Sequence, residues 1–206
     1  PYFRRSENRI GSGDDKYRGR KGELPITDLD WHHPVTEAFI DGAEELGIPR
    51  NPDYNGQSQE GSGYFQRTIH KGLRVSAARA FLKPCKKRSN VDIRTTSHAT
   101  SIILEGKRAI GVCYKRGGIR GVKKTVMARR EVLVAAGTVN TPKLLQLSGI
   151  GPSELLSQIG IPLQHELQGV GSNFRDHYGV RMVSKVKNIK TINNLVQGIP
   201  LIREVF

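Results

Sequence analysis

Apolar positions recur with helical spacing in the first half of the chain and in short β-branched runs after residue 90, with glycine-rich stretches between. Residues 1–30 are polar and glycine-rich, and they predict loop. From Asp30 to Gly47 the residues Val35, Phe39, Ala43 and Leu46 form a helical stripe. Pro34 fits the first turn of that helix and Gly47 its stop. Residues 49–63, with Asn55-Gly56 inside, predict a long turn-rich segment. Arg74 to Leu82 reads as a short helix ended by Pro84. Strands are predicted at Val91–Thr95, Ser101–Leu104 and Ala109–Tyr114, with a turn at Glu105-Gly106. A further pair of strands is predicted over residues 123–137, the second being the small, apolar run "VLVAAG", which reads as buried and ends in a tight turn. Thr141 as cap and Pro142 at the first position open a helix. "PSELLSQIG" gives another, capped by Ser153 and stopped by Gly160. Strands alternating with helices beside a β-meander indicate an α/β or α+β fold. No internal repeat is visible.

Composition narrows the classes. The chain has 206 residues, 36% of them hydrophobic, and no run of about 18 apolar residues, so no transmembrane segment is expected. The 23 glycines follow no three-residue period, which excludes collagen. Cys85 and Cys113 are the only cysteines and form no CxxC, which excludes a disulfide scaffold, a cysteine zinc site and a redox pair. Thirty-three Lys+Arg against 19 Asp+Glu give a formal charge of +14, which raises the question of nucleic acid. Lys107, Arg108, Lys115, Arg116, Arg120, Lys123, Lys124, Arg129 and Arg130 fall in one stretch without an acidic residue. A phosphate-binding face has that charge. These residues sit at the turns and edges of a meander, however, where Lys and Arg solvate hairpins and block edge pairing. Tyr114 is the only aromatic among them, so there is no stacking platform. No nucleic-acid partner is expected.

Chemistry-bearing motifs are few. The glycine pairs Gly11/Gly13, Gly61/Gly63, Gly149/Gly151 and Gly169/Gly171 all lack the strand, third glycine and helix of a dinucleotide fingerprint. Six histidines are scattered without metal-ligand spacing, so no metal site is expected. There is no GxSxG elbow. Asp176-His177 is an adjacent pair, and His177 is expected to be structural. The segment Glu131–Gly151, "EVLVAAGTVNTPKLLQLSGIG", stands apart: a strand, a turn of small residues, a proline-started helix and a glycine stop. Ala135, Ala136 and Gly137 let backbone approach a ligand closely, and the helix N-terminus suits an anion. Plain tight packing explains the same residues, and both readings stay open at this point.

This segment closely resembles the second signature of the glucose–methanol–choline (GMC) family of FAD-dependent alcohol oxidoreductases. The matching positions are Gly137, Thr138, Thr141, Pro142, Leu144, Leu145, Ser148, Gly149, Ile150 and Gly151. The rest of the chain is similar to the family in order: "PYFRRSEN" at the start, "DYNGQSQEGSGYFQRTIHKGLRVSAARAFLKP", "VDIRTTSHATSIILEGKRAIGV", and "GVGSNFRDHYGVRM". The likeness is nearest to the choline-dehydrogenase-like branch.

The resemblance implies a portion of a Rossmann-like FAD-binding domain plus part of an antiparallel-sheet substrate domain. Residues 1–70 are expected in the substrate or cap region, 71–175 in the FAD domain, and 176–206 back in the substrate domain. The family's GxGxxG unit would precede Pro1 and its active-site histidine would follow Phe206, so the chain is expected to be an internal piece with no catalytic residue of its own. FAD is the implied cofactor, with contacts from Ala99, Ala136 and Gly137. Ala99 stands where the family usually has Val, whose main chain meets the adenine. Phe174 replaces a usual Leu. The implied reaction passes hydride from a small alcohol, choline-like, to the flavin and yields an aldehyde. Oxygen or a quinone-type acceptor then reoxidises the flavin. A non-catalytic module and a basic nucleic-acid-binding protein are the alternative readings.

Overall fold

The computed structural model of the chain describes residues 1–118 and 120–195. The chain divides into two compact units, Pro1–Asp92 with the chain from Val183 on, and Ile93–Met182. In the first, a short helix α1 (Tyr2–Ser6) leads into β1 (Glu7–Ile10), which pairs in parallel with β2 (Leu24–Thr27). Helix α2 (Pro34–Glu45) follows, then a small antiparallel hairpin of β3 (Ile69–His70) and β4 (Leu73–Arg74). A wide helical turn at Ala78–Leu82 runs into α3 (Lys83–Cys85).

The first thirty residues are therefore structured rather than loop, and arginines are the reason. The Arg18 side chain is only 1% exposed and lies between two carboxylates, those of Glu7 and Asp53. It also donates to Gln66 Oε1 at 2.9 Å, and Gln66 Nε2 donates back to Asp53 at 3.1 Å. Arg9, equally buried, donates to the carbonyl of Ile10 at 2.6 Å and to the carboxylate of Asp28. Burial pushes the Glu7 carboxyl up, but bonds from Arg18 and the Gly19 amide, with the charges of Arg18 and Arg9, hold it below its ordinary value. Burial likewise pulls Arg18 down, and the Glu7 and Asp53 contacts more than reverse this. A polar, charged stretch thus builds its interior from ion pairs, a pattern that hydrophobic periodicity does not reveal. At Gly19 an added Cβ would fall 1.9 Å from the carbonyl oxygen of Arg4, so only glycine permits the approach.

Helix α2 forms where the sequence predicts it. His33 caps it, its ring accepting from the Val35 amide at 3.2 Å, and Gly47 ends it with φ +84°. The amides of Gly47 and Ile48 return to the carbonyls of Glu44 and Ala43, the double closure of a Schellman stop. The buried face differs from the predicted stripe: Ile40 is inside, whereas Phe39 is 70% exposed. Arg74 belongs to β4 rather than to a helix, and the helical turn continues past Pro84 to Cys85. The turn widens because the Pro84 ring would strike the carbonyl of Ala80 in a regular helix.

In the second unit, β5 (Ser97–Glu105), β6 (Arg108–Arg116) and β7 (Val122–Met127) form an antiparallel meander in that order. Helix α4 (Gly137–Leu147) packs on β5. Beyond it, β8 (Ile150–Gly151) pairs in parallel with β9 (His165–Glu166) around α5 (Ser153–Gln158), whose Leu156 is fully buried. In the first unit, α6 (Ile192–Leu195) closes the described chain. The buried Ser148 hydroxyl fixes α4 to the meander: it accepts from the Ile102 amide of β5 at 2.8 Å and donates to Leu144 O at 2.6 Å.

Four expectations change in this unit. Val91–Thr95 is not a strand, and β5 instead begins at Ser97. "VLVAAG" forms no strand: it pairs with nothing among the described residues, bends at Ala136 and enters α4 at Gly137, with Leu133 81% exposed. A strand needs a ladder neighbour, and none meets this segment among the described residues. Helix α4 starts four residues before Thr141, with Pro142 inside it. Thr141 Oγ1 accepts from the Ala136 amide at 3.1 Å, a bond to the residue preceding the helix. Ser153 is the first helical residue rather than the cap and donates to Glu166 at 2.7 Å, while Gly160 does stop α5 with φ +69°.

Two stability outcomes follow. Replacing Arg18 by Met leaves two carboxylates half-buried without a cation, and the full-length protein is expected to lose about 3–5 kcal/mol in denaturant unfolding. Ser148→Ala strands the buried Ile102 amide and is expected to cost about 1–3 kcal/mol. The solvent-facing Ser153→Ala should change stability by less than about 0.5 kcal/mol in the same measurement.

Candidate functional site

The residues singled out from the sequence all lie in the unit Ile93–Met182, on different elements. Ala136 precedes α4 with φ −85° and ψ 5°, and Gly137 begins the helix with φ +88°. That φ lies in the left-handed region, which glycine enters without strain. An added Cβ at Gly137 would meet nothing within 4 Å, so the turn opens onto free space and is not packed against protein. The positive φ is itself what calls for glycine at this position.

The N-terminus of α4 carries no side-chain cap. The Ala136 amide is engaged by Thr141, which leaves the amides of Gly137, Thr138 and Val139 as the first-turn donors that no intrahelical carbonyl can reach. An 11-residue helix brings the positive end of its dipole to the same point.

Beside this end lies a cleft of about 680 Å³, formed by α4 and the loop Gly169–Arg175. Thr138, Thr141, Lys143, Asn173 and Arg175 contribute polar or cationic groups to its wall, and Val139 and Phe174 apolar ones. The cationic groups of Lys143 and Arg175 beside an apolar wall suit a ligand with both an anionic and an apolar part. Gln146 and Gly171 give the cleft its shape. The Gln146 amide donates to Val170 O at 3.1 Å, and Gly171, at φ +84°, comes so close that a Cβ would stand 2.6 Å from Gln146 Nε2. The sequence named Gly171 only within a failed dinucleotide fingerprint and a family-like segment, and gave Gln146 no role. Of the two glycines in "GVGSNF", Gly171 serves the approach of loop to helix, and an added Cβ at Gly169 would meet nothing within 4 Å.

Ala99 lies elsewhere in the same unit. It stands exposed on β5 opposite Tyr114, and the ladder shifts register between Ala99 and Ser101. Arg94 donates to the Tyr114 hydroxyl at 2.8 Å and stands 5.8 Å from its ring. Neither Ala99 nor Ala136 nor Gly137 lines the cleft itself. Ala136 and Gly137 sit at its helical rim, and Ala99 lies on the strand that carries Ile102, the partner of Ser148.

The histidines assemble no metal site among the described residues. The His177 backbone amide donates to Asp176 Oδ1 at 2.8 Å. In the other unit, Glu37 gathers bonds from Arg50, His32 and Tyr64, which lower its carboxyl to about 2. His32 also lies 4.6 Å from the Tyr64 ring and His33 5.3 Å from Trp31, an arrangement that secures the start of α2.

Comparison with known proteins follows the same segments. The family model described as GMC oxidoreductase matches residues 1–179. An oxygen-dependent choline dehydrogenase of Staphylococcus aureus is 42% identical over 188 residues, covering 91% of this chain and 32% of its own. One from Photobacterium profundum is 43% identical over 183 residues, covering 87% and 31%. A solved FAD-dependent oxidoreductase from Chaetomium thermophilum superposes with a TM-score of 0.76 at 32% identity, over 82% of this chain and 31% of that one. The chain thus spans about a third of the length of the relatives it matches. With the family match running from the arginine-built start of the chain through the turn at Gly137 to the loop beyond Gly171, the chain belongs to the GMC oxidoreductase family.

Proposed function

We propose that this chain forms the part of an FAD-dependent oxidoreductase that holds one stretch of the dinucleotide, in a protein that oxidises a small alcohol, choline-like, to an aldehyde. The observation that carries the reading is the open, uncapped turn at Ala136–Gly137 leading into α4. It fits a diphosphate-bearing group, because unsatisfied amides and a helix N-terminus face space that no side chain fills. Family membership supports the choice of FAD among such groups.

In this reading Gly137 and the amides after it hold the anionic part of the cofactor. The Ala99 main chain borders the adenine, and the register shift beside Ala99 leaves backbone there available. Lys143 and Arg175 add positive charge along the cleft. When bound, FAD supplies the hydride acceptance that none of the twenty side chains provides. The chain's own residues position, charge-match and exclude water; the proton-accepting group toward the alcohol belongs to the wider protein. Oxygen or a quinone-type acceptor is the proposed oxidant.

The proposed layout places residues 1–70 and 176–206 in the substrate region, with its antiparallel sheet, and 71–175 in the Rossmann-like FAD domain. The division of the chain into two units, with an interior stretch flanked by two stretches of the other, supports that alternation.

The test uses the full-length protein. It is expected to carry flavin, seen in its visible absorbance, and choline added without oxygen is expected to bleach that absorbance. Gly137→Val forces a β-branched residue to a positive φ at a strain of order 1–3 kcal/mol. It is expected to weaken flavin retention roughly tenfold or more, read as FAD released on dialysis. Unchanged retention in that variant would remove the turn from the proposal. A flavin that other alcohols bleach and choline does not would overturn only the substrate.

A further inference from the structure

The basic run between Lys107 and Arg130 has no part in the flavin reading, and the fold gives it a definite place. Strand β7 closes one side of the meander, and all six of its residues are exposed. The Ala128 amide donates to Ile110 O at 2.8 Å, and the register sets Met127 against Gly111, Val126 against Val112 and Lys124 against Tyr114. Alternation along an antiparallel ladder then directs the backbone groups of Val126, Lys124 and Val122 toward β6. Those of Met127, Thr125 and Lys123 face outward. Among the described residues no strand pairs with that outward edge.

The charges on this edge are arranged as well as numerous. His98, Lys115 and Lys123 stand opposite one another across the three strands. An acidic residue in the next position outward would stand directly opposite Lys123. Lys124 lies on the other face, so the edge is basic on both sides. Val126 and Met127, 42% and 59% exposed, follow immediately. Lysines on an edge oppose pairing of one copy with another. For an extended acidic strand the same lysines are attractive, and its backbone completes the ladder.

We propose that the outward edge of β7 is a docking site for an extended acidic segment of a partner protein, bound by strand addition. Pairing in the antiparallel sense, the segment carries apolar residues opposite Met127 and Val126 and acidic residues opposite Lys124 and Lys123. Main-chain hydrogen bonds from Met127, Thr125 and Lys123 supply affinity, and the two lysines supply selectivity for acid.

The experiment titrates the full-length protein into a fluorescently labelled peptide built in that order: two aliphatic residues, Thr, two Glu and Val. A control peptide carries Lys in place of both Glu. The acidic peptide is expected to bind saturably in fluorescence polarisation and the Lys peptide at least roughly tenfold more weakly. The double variant Lys123→Glu/Lys124→Glu is expected to weaken the acidic peptide by a similar factor and to favour the Lys peptide. Thr125→Pro removes an outward amide without touching a bond to β6, and is expected to abolish binding. Should that variant fail to fold, the charge reversal decides. Absence of saturable binding, equal affinity for both peptides, or full binding by a folded Thr125→Pro variant would overturn the proposal. Self-association of the protein through this edge, or binding to phosphatidylserine vesicles that Thr125→Pro leaves intact with no peptide binding, would overturn it in favour of a second copy or a membrane surface.

Discussion

A single hydroxyl sets the geometry on which the candidate site depends. Ser148, buried at the end of α4, takes the Ile102 amide of β5 and gives its proton to Leu144. The amide lies on the side of β5 away from β6, where a strand edge would otherwise be left unsatisfied. Satisfying it from a helix end fixes α4 against the meander at its C-terminus, and a rigid helix then carries that placement to its N-terminus. The open turn at Gly137 is held in position by contacts made three helical turns away. Gln146, on the same helix, fixes the loop at Val170. The polar groups of one helix therefore orient both walls of the cleft.

The other unit solves a different problem. Its apolar interior is thin, with Ile40, Val75 and Ala80 buried, and its first thirty residues contribute mostly charge. Arg18 and Arg9 replace hydrophobic packing with ion pairs that need Glu7, Asp53 and Asp28 in place. Such a centre specifies one arrangement sharply and tolerates few substitutions, because each missing partner leaves a desolvated charge behind. The arginines here point inward and are matched by the carboxylates of Glu7, Asp28 and Asp53, so this centre contributes nothing to the +14 excess. The charge that remains available is concentrated on the meander.

What could be read from the sequence follows from which signals are local. Helix α2 was legible through Pro34 and Gly47, although its apolar stripe pointed to the wrong face, and the hairpin at β5–β6 through its β-branched runs. The stops at Gly47 and Gly160 were legible because positive φ selects glycine. Helix α4 was legible as an element but not in its start, since Pro142 signals a first position and in fact lies inside the helix. "VLVAAG" misled because a uniformly apolar run implies two covered faces, and no strand meets it among the described residues. The strands β1 and β2 were illegible because two of the partners of Arg18, Asp53 and Gln66, lie 35 and 48 residues away from it. For the site, the turn at Ala136–Gly137 was visible as small residues of undecided purpose. The open space beside Gly137 needed coordinates, as did the approach of Gly171 to Gln146.

The claim at the centre of this account is that the amides opening α4 face a flavin dinucleotide. Hydrogen–deuterium exchange on the full-length protein, with and without FAD, reads those amides directly. The account predicts that Gly137, Thr138 and Val139 exchange markedly more slowly in the flavin-loaded protein, while the buried Ile102 amide is slow in both. Equal exchange of the three turn amides in the loaded and flavin-free protein would contradict it.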